Sequence, residues 1–147
     1  GRVESMTPPR EARTAGEILR CWPVFHQLRP HLVAAEFLPR VRRQQATHGY
    51  VLTLVEDEGA VVCAAGWRIA EFLAWGRAFY VDDLVTGEAA RGRRHGRRML
   101  DWLIAEARRR GCDELHLDSG HQRLAAHGLY HAAGLRITSH HFSLPLA

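Results

Sequence analysis

Between residues 77 and 118 the spacing of apolar residues changes from a period of two to one near 3.6 and back again. That succession restricts the fold more than any other feature of the chain. Arg77 to Thr86 reads as a strand. Met99, Leu100, Leu103, Ile104 and Ala107 then mark one face of a helix, with Trp102 beside it and Gly111 at the position of a C-terminal cap. Leu115 and Leu117 alternate with His116 and Asp118, so Cys112 to Asp118 reads as a further strand. Strand, helix and strand in that order form a crossover, whose two strands lie parallel. Upstream, Tyr50 to Val55 and Ala60 to Trp67 flank the acidic turn Glu56-Asp57-Glu58-Gly59, which predicts a hairpin and therefore antiparallel pairing. A sheet carrying both kinds of pairing puts the chain in the α/β class, in its mixed α+β form.

The rest of the chain supplies helices and one more strand. Thr14-Ala15-Gly16-Glu17 has the spacing of a capping box and precedes Ile18, Leu19, Trp22, Phe25 and Leu28 at helical intervals, with Pro23 expected to kink or shorten the helix. After Pro30, the positions of Leu32, Val33, Phe37 and Val41 predict a second helix that ends in Arg42-Arg43-Gln44-Gln45, before His48-Gly49. The hairpin's second strand is read as continuing through Arg68 to Trp75, with Gly76 separating it from the next. Leu124 to Ala133 predicts a last helix stopped by Gly134, and Leu135 to Leu146 a last strand whose Pro145 cannot donate to a ladder. No repeat, low-complexity tract or long linker interrupts the chain, so residues 1–147 are expected to form one domain. Met6 is a candidate natural start, which would make residues 1–5 an expression remnant without function.

The chain is 46% hydrophobic over 147 residues, enough for a substantial core. No run approaches the roughly 20 apolar residues of a membrane span, and no apolar leader opens the sequence. A cytoplasmic protein with no membrane partner is expected. Cys21, Cys63 and Cys112 are odd in number and widely spaced, which suits buried thiols better than a disulfide framework or a zinc site. The formal net charge is +4 and all 20 basic residues are arginine. Such a balance admits nucleic acid, anionic cofactors or acidic surfaces as partners, so the position of the charge has to decide among them.

Arg108, Arg109 and Arg110 close a helix, where the negative end of the macrodipole favours cations, and they read as a solvated face. Arg91, Arg93, Arg94, Arg97 and Arg98 crowd the opposite end of the same helix, where cations are disfavoured and repel one another. A docked anion reverses both effects, because the first turn of a helix presents free amides to it. An anion site is therefore the better reading of Arg91-Gly92-Arg93-Arg94-His95-Gly96, the alternative being a solvated charge run.

Which anion is indicated by motif. Arg91-Gly92-Arg93-Arg94-His95-Gly96 resembles the Gln/Arg-x-x-Gly-x-Gly/Ala signature that lies between a strand and a long helix in the GNAT superfamily of acetyl-CoA-dependent N-acetyltransferases. The preceding Tyr80-Val81-Asp82-Asp83-Leu84-Val85-Thr86 resembles that family's central strand, and Leu129-Tyr130-His131-Ala132-Ala133-Gly134-Leu135 its Phe/Leu-Tyr-x-x-x-Gly-Phe ending. The chain departs from the pattern at Arg94, where the family has its middle glycine, at His95, where it has an apolar residue, and at Arg123, where it has an asparagine. The resemblance covers most of the chain. It implies a GNAT-like fold, a central mixed twisted β-sheet flanked by about four helices, with acetyl-CoA as cosubstrate. Its phosphates would sit on Arg91, Gly92, Arg93, Arg94, His95, Gly96, Arg97 and Arg98.

Acetyl transfer from a thioester to an amine requires a deprotonated nucleophile, a donor to the developing oxyanion and a proton for the departing thiolate. The resemblance implies that the backbone of Leu84, Val85 and Thr86 splays from its neighbouring strand, pairs with pantetheine and polarises the acetyl carbonyl, although these side chains would also suit a core. It assigns Tyr130 to the thiolate proton, the alternative being a tyrosine packed for its ring alone. Asp82 and Asp83 are candidate bases, resembling the acidic pair of polyamine-type acetyltransferases. Strand alternation would place them on opposite faces, and Asp82 is the preferred base, acting directly or through a water. The alternative for either is a carboxylate accepting backbone amides beside a bulge. Glu71, His121 and the pair His140-His141 are candidate substrate contacts, and the acids Glu71, Asp82 and Asp83 suggest a cationic acceptor, a small-molecule or peptide amine. No metal is expected: His127 and His131 share a helix face, but no HExxH pattern or carboxylate cluster completes a ligand set. Two other functions fit the same features, a catalytically inactive acyl-CoA-binding sensor and an arginine-rich nucleic-acid-binding module. The second lacks any interleaving of basic and aromatic residues, and no nucleic-acid partner is expected. An exposed final strand would allow edge-to-edge pairing in a homodimer.

Overall fold

The computed structural model describes residues 7–120 and 122–147; residues 1–6, with the candidate remnant 1–5, and His121 lie outside them. The described residues gather into two compact units, one within Gly1–Leu117 and one within Asp118–Ala147. The first holds helices α1 (Ala15–Arg20), α2 (Trp22–Leu28), α3 (Ala34–His48) and α4 (His95–Arg109). Its strands are β1 (Arg10–Glu11), β2 (Val51–Asp57), β3 (Ala60–Phe72), β4 (Gly76–Thr86) and β5 (Glu114–Leu117). They lie side by side in chain order. β1 to β4 pair antiparallel in succession, and β4 pairs with β5 in parallel. The sheet is mixed, as the hairpin and the crossover require.

The N-terminal helices are three where the sequence pattern suggests two, so five helices replace the expected four or so among the described residues. The capping box forms: Thr14 Oγ1 accepts from the Glu17 amide at 3.1 Å, and Glu17 Oε1 accepts from the Thr14 amide at 3.0 Å. The helix then stops at Arg20, because Pro23 brings no amide hydrogen and its ring would clash with the carbonyl four residues back. Pro23 instead occupies the first turn of α2, where it is well tolerated. α3 runs on through Gln44 and Gln45 to His48 and ends at Gly49, with φ 64°, so the polar run is the helix's last turns and not its end.

The two faces of the sheet are covered differently. Leu52, Leu54, Ala64 and Val85 meet Ile18, Cys21, Val24, Phe25, Phe37 and Val41 of the first three helices in one buried cluster. On the other face, Trp67 and Phe79 stack at 4.3 Å and Arg110 lies over the Trp67 ring. α4 packs on that face with Met99, Leu100 and Leu103 buried, and Thr53 Oγ1 donates to Met99 Sδ at 3.7 Å. The hairpin turn places both Glu58 (φ 53°) and Gly59 (φ 81°) in the left-handed region, the pattern of a tight turn matched to strand twist. β3 ends at Phe72 and not at Trp75.

The second unit holds α5 (Leu124–Ala132), which Gly134 (φ 96°) follows as expected. The strand expected over residues 135–146 does not form; no helix or strand follows α5. Alternation identifies which side chains could share a face, but a strand exists only where a neighbour accepts its amides. Ile137, Phe142, Leu144 and Leu146 are accordingly exposed.

Candidate active site

The central feature of the first unit is the end of β4. Pairing with β5 runs from Ala78↔Glu114 to Val81↔Leu117 and stops there, whereas pairing with β3 continues through Leu84↔Ala65 and Val85↔Ala64 to Thr86↔Cys63. Past Val81, β4 therefore has a ladder neighbour on one side only among the described residues. Leu84 and Val85 are buried, and Thr86 Oγ1 donates to Cys63 Sγ at 3.7 Å.

The acidic pair sits where this change occurs. Gly66 pairs with Asp83 and Trp67 with Val81, so Asp82 is the extra residue of a β-bulge. The expectation that alternation sends the two aspartates to opposite faces is thereby corrected, because a bulge breaks the period of two. Arg68 reaches Asp82 with Nε at 3.1 Å and with a close Nη2 contact, and donates to Gln44 Oε1 at 2.8 Å. Arg68 also lies over the Tyr50 ring, and Tyr50 Oη donates to Asp83 Oδ2 at 2.9 Å. Arg29 donates to Asp83 Oδ1 from Nε at 3.1 Å and from Nη2 at 3.0 Å. Both carboxylates thus belong to one network with Arg29, Tyr50, Arg68 and Gln44. Burial pushes the Asp82 carboxyl above the usual carboxylate range, with Arg68 opposing, and burial beside Asp83 holds the Tyr50 hydroxyl protonated.

None of these four partners was singled out from the sequence. The available signal was Gly66, a glycine inside a strand pattern, which marks a close approach by another group. A Cβ there would lie 1.8 Å from Tyr50 Oη, so only glycine lets the tyrosine cross the strand to Asp83.

β4 passes through Gly87 and a 3-10 turn at Glu88–Ala90 into the arginine-rich loop. Arg91, Gly92, Arg93 and Arg94 are exposed, and Gly92 (φ 83°) and Arg94 (φ 65°) both adopt left-handed backbone. Arg94 is the N-cap of α4; its side chain makes no capping bond and the first turn holds no acid. The first intrahelical bond is made by the Arg98 amide to the Arg94 carbonyl at 3.1 Å, so the amides of His95, Gly96 and Arg97 precede it. His95 is buried as a whole residue, 1% exposed with its backbone included, so the exposed part of this turn is the run from Arg91 to Arg94. Arg93 comes within 3.9 Å of the buried Asp57, and Arg97 pairs with Asp101 at 3.0 Å.

The remaining candidates belong to other elements. Glu71 lies opposite Arg77 near the far end of the β3–β4 hairpin. That is about 13 Å along the strand from Trp67 at ~3.3 Å per residue. Tyr130 belongs to the second unit, is buried on α5, and burial raises its hydroxyl above the ordinary range with Arg123 opposing. His140 and His141 are exposed there, and His141 lies 3.5 Å from Asp118. His121 lies outside the described residues. Among the described residues no group of three or more histidine, cysteine, aspartate or glutamate side chains is placed to hold a metal ion. None of the described helices is long and apolar enough to cross a membrane.

Comparison with known proteins gives the family and the fold. The chain is 29% identical over 128 residues to the Bacillus subtilis (strain 168) protein described as uncharacterized N-acetyltransferase YhdJ, covering 85% of this chain and 89% of that protein. Its fold superimposes on a GNAT family acetyltransferase of Staphylococcus aureus with a TM-score of 0.80 at 16% identity, covering 97% and 99% of the two chains. It also superimposes on aminoglycoside N-acetyltransferase AAC(6')-Iy in complex with CoA, with a TM-score of 0.79 at 14% identity over 95% and 93% of the chains. The profile described as Acetyltransferase (GNAT) family matches residues 14–135, most of the chain, and this protein belongs to that family.

Proposed function

We propose that this protein transfers an acetyl group from acetyl-CoA to a primary amine of a small molecule or peptide, directly and within a ternary complex. The observation that carries the reading is the start of α4: exposed arginines, no capping side chain and no first-turn acid, directly after a strand end that has one ladder neighbour among the described residues. Such a helix terminus suits a diphosphate, with Arg91, Arg93 and Arg94 as charged partners. The solved relative named in complex with CoA supports the choice of anion.

In this reading the backbone of Leu84, Val85 and Thr86 holds the acyl arm and an amide there polarises the thioester carbonyl. The amine nitrogen attacks that carbon after giving its proton to Asp82, directly or through a water; Asp83 is the second candidate. A carboxyl raised by burial is a stronger proton acceptor than a free one. The carbon–sulfur bond breaks and the thiolate takes a proton from Tyr130, whose raised hydroxyl remains protonated at neutral pH. Arg29 and Arg68 offset the charge of the two acids, so the pair does not by itself call for a polycationic acceptor.

Thermal unfolding with and without acetyl-CoA tests the reading. Acetyl-CoA raises the melting temperature, and Arg93→Ala weakens binding roughly tenfold. Gly96→Asp also lowers the ligand-induced shift while leaving the free protein no less stable, since an acid is favoured in a first helical turn. No shift at millimolar acetyl-CoA rejects the proposal. A thiol-release screen across polyamines, amino acids, aminoglycosides and peptide amines identifies the acceptor, and binding without release from any of them points to the sensor instead.

A further inference from the structure

Among the described residues, the stretch of β4 beyond Val81 is held within the sheet by β3 alone. Strand edges open more readily than paired strands, and any ordering that a ligand must impose is subtracted from its affinity. The C-terminal end of α2 supplies the missing restraint. Gln27 Nε2 donates to the Thr86 carbonyl at 2.9 Å, and Gln27 Oε1 accepts from the Glu88 amide at 2.9 Å. One side-chain amide thus fixes the peptide groups on both sides of Gly87. Two residues on, at the C-cap, Arg29 donates through Nη2 to the Asp82 carbonyl at 3.0 Å besides holding the Asp83 carboxylate. Val24 of the same helix lies so close to Gly87 that a Cβ there would come within 3.3 Å of Val24 Cγ1. The end of α2 therefore grips the half-paired segment at its beginning, at Asp82, and at its end, at Thr86 and Glu88.

We infer that Gln27 and Arg29 are positioning residues that preset the backbone of residues 82–88 for the acyl-pantetheine arm of the cosubstrate. This rests on the reading of Leu84 to Thr86 as the cofactor strand. Neither side chain takes part in bond making; they fix the groups that do.

Calorimetric titration of the full chain with acetyl-CoA, and separately with adenosine 3′,5′-bisphosphate, tests this. The nucleotide probe carries phosphates but no pantetheine. Gln27→Met removes both bonds to the strand end and is expected to weaken acetyl-CoA binding about tenfold while leaving the nucleotide within about twofold. Gln27→Glu keeps an acceptor for the Glu88 amide but loses the donor, and falls between. Arg29→Met, at a side chain 43% exposed, repeats the selective loss and carries the test if Gln27→Met does not fold. Unchanged acetyl-CoA affinity in folded variants overturns the inference, as does an equal loss for both ligands, which marks general destabilisation. A folded wild-type protein that binds the nucleotide probe but not acetyl-CoA, or neither, overturns the cofactor reading and the inference with it.

Discussion

Arg94 holds its backbone at φ 65° and ψ 21°, in the left-handed region where a side chain crowds its own carbonyl. Glycine adopts this conformation freely, and glycine is what the family pattern has there. Arg94→Gly is therefore expected to stabilise the protein by about 1 kcal/mol, seen as a higher urea midpoint with an unchanged slope. A lower midpoint would show that the arginine side chain contributes more than the strain removes. The arginine cluster was legible in the sequence because charge at the wrong end of a helix is a local contradiction. The network around the aspartates was not: Arg29 caps α2, Gln44 lies in α3, Tyr50 just precedes β2 and Arg68 lies in β3, and the bulge that admits both acids to one network leaves no mark on an alternating pattern. Of these contacts only Gly66, vacated for Tyr50, had a trace in the sequence.

At the level of elements, the start of α1 shows how much a local motif can fix. Glu17 accepts from the Thr14 amide, contacts the Arg10 guanidinium closely and accepts from the Arg13 amide at 3.1 Å. These bonds, the Thr14 amide foremost, lower its carboxyl from an ordinary 4.5 to about 2. A folded value below the unfolded one means that the ionised group's contribution is complete above 4.5 and is lost as pH falls toward 2. Glu17→Gln keeps the cap acceptor but cannot titrate. The stability gap between wild type and Glu17→Gln should therefore be constant at neutral pH and close on acidification, measured as urea midpoints between about pH 6 and pH 3. A gap that persists unchanged would assign the wild type's advantage to geometry and not to charge. Local signals of this kind, the capping box, the acidic turn ending at Gly59 and the stop at Gly134, were readable from sequence, whereas the end of α3 at Gly49 was placed too early. The break after Arg20 was readable only in part, as Pro23 fixes where a helix can begin more firmly than where the previous one ends.

Across the whole molecule, the same distinction separates the sheet that formed from the strand that did not. The hairpin and the crossover each name their partner, because the connecting turn or helix decides which strand lies alongside. Residues 135–146 have the alternation of a strand and no connection that specifies a neighbour. Their large apolar side chains are open, Phe142 at 92% and Leu146 at 93% exposure. Amides outside a ladder or helix exchange with solvent on a much faster scale than those of a buried sheet. In hydrogen exchange followed by mass spectrometry, peptides spanning 136–147 should saturate at the earliest time points, while peptides from β3 and β4 stay protected far longer. Repeating the measurement over a range of protein concentration distinguishes a chain acting alone from a pairing of copies. Fast exchange at every concentration fits the fold as described. Protection that rises with concentration would instead mean that the alternating segment finds its ladder on a second copy, and would turn the expected homodimer into an observed one.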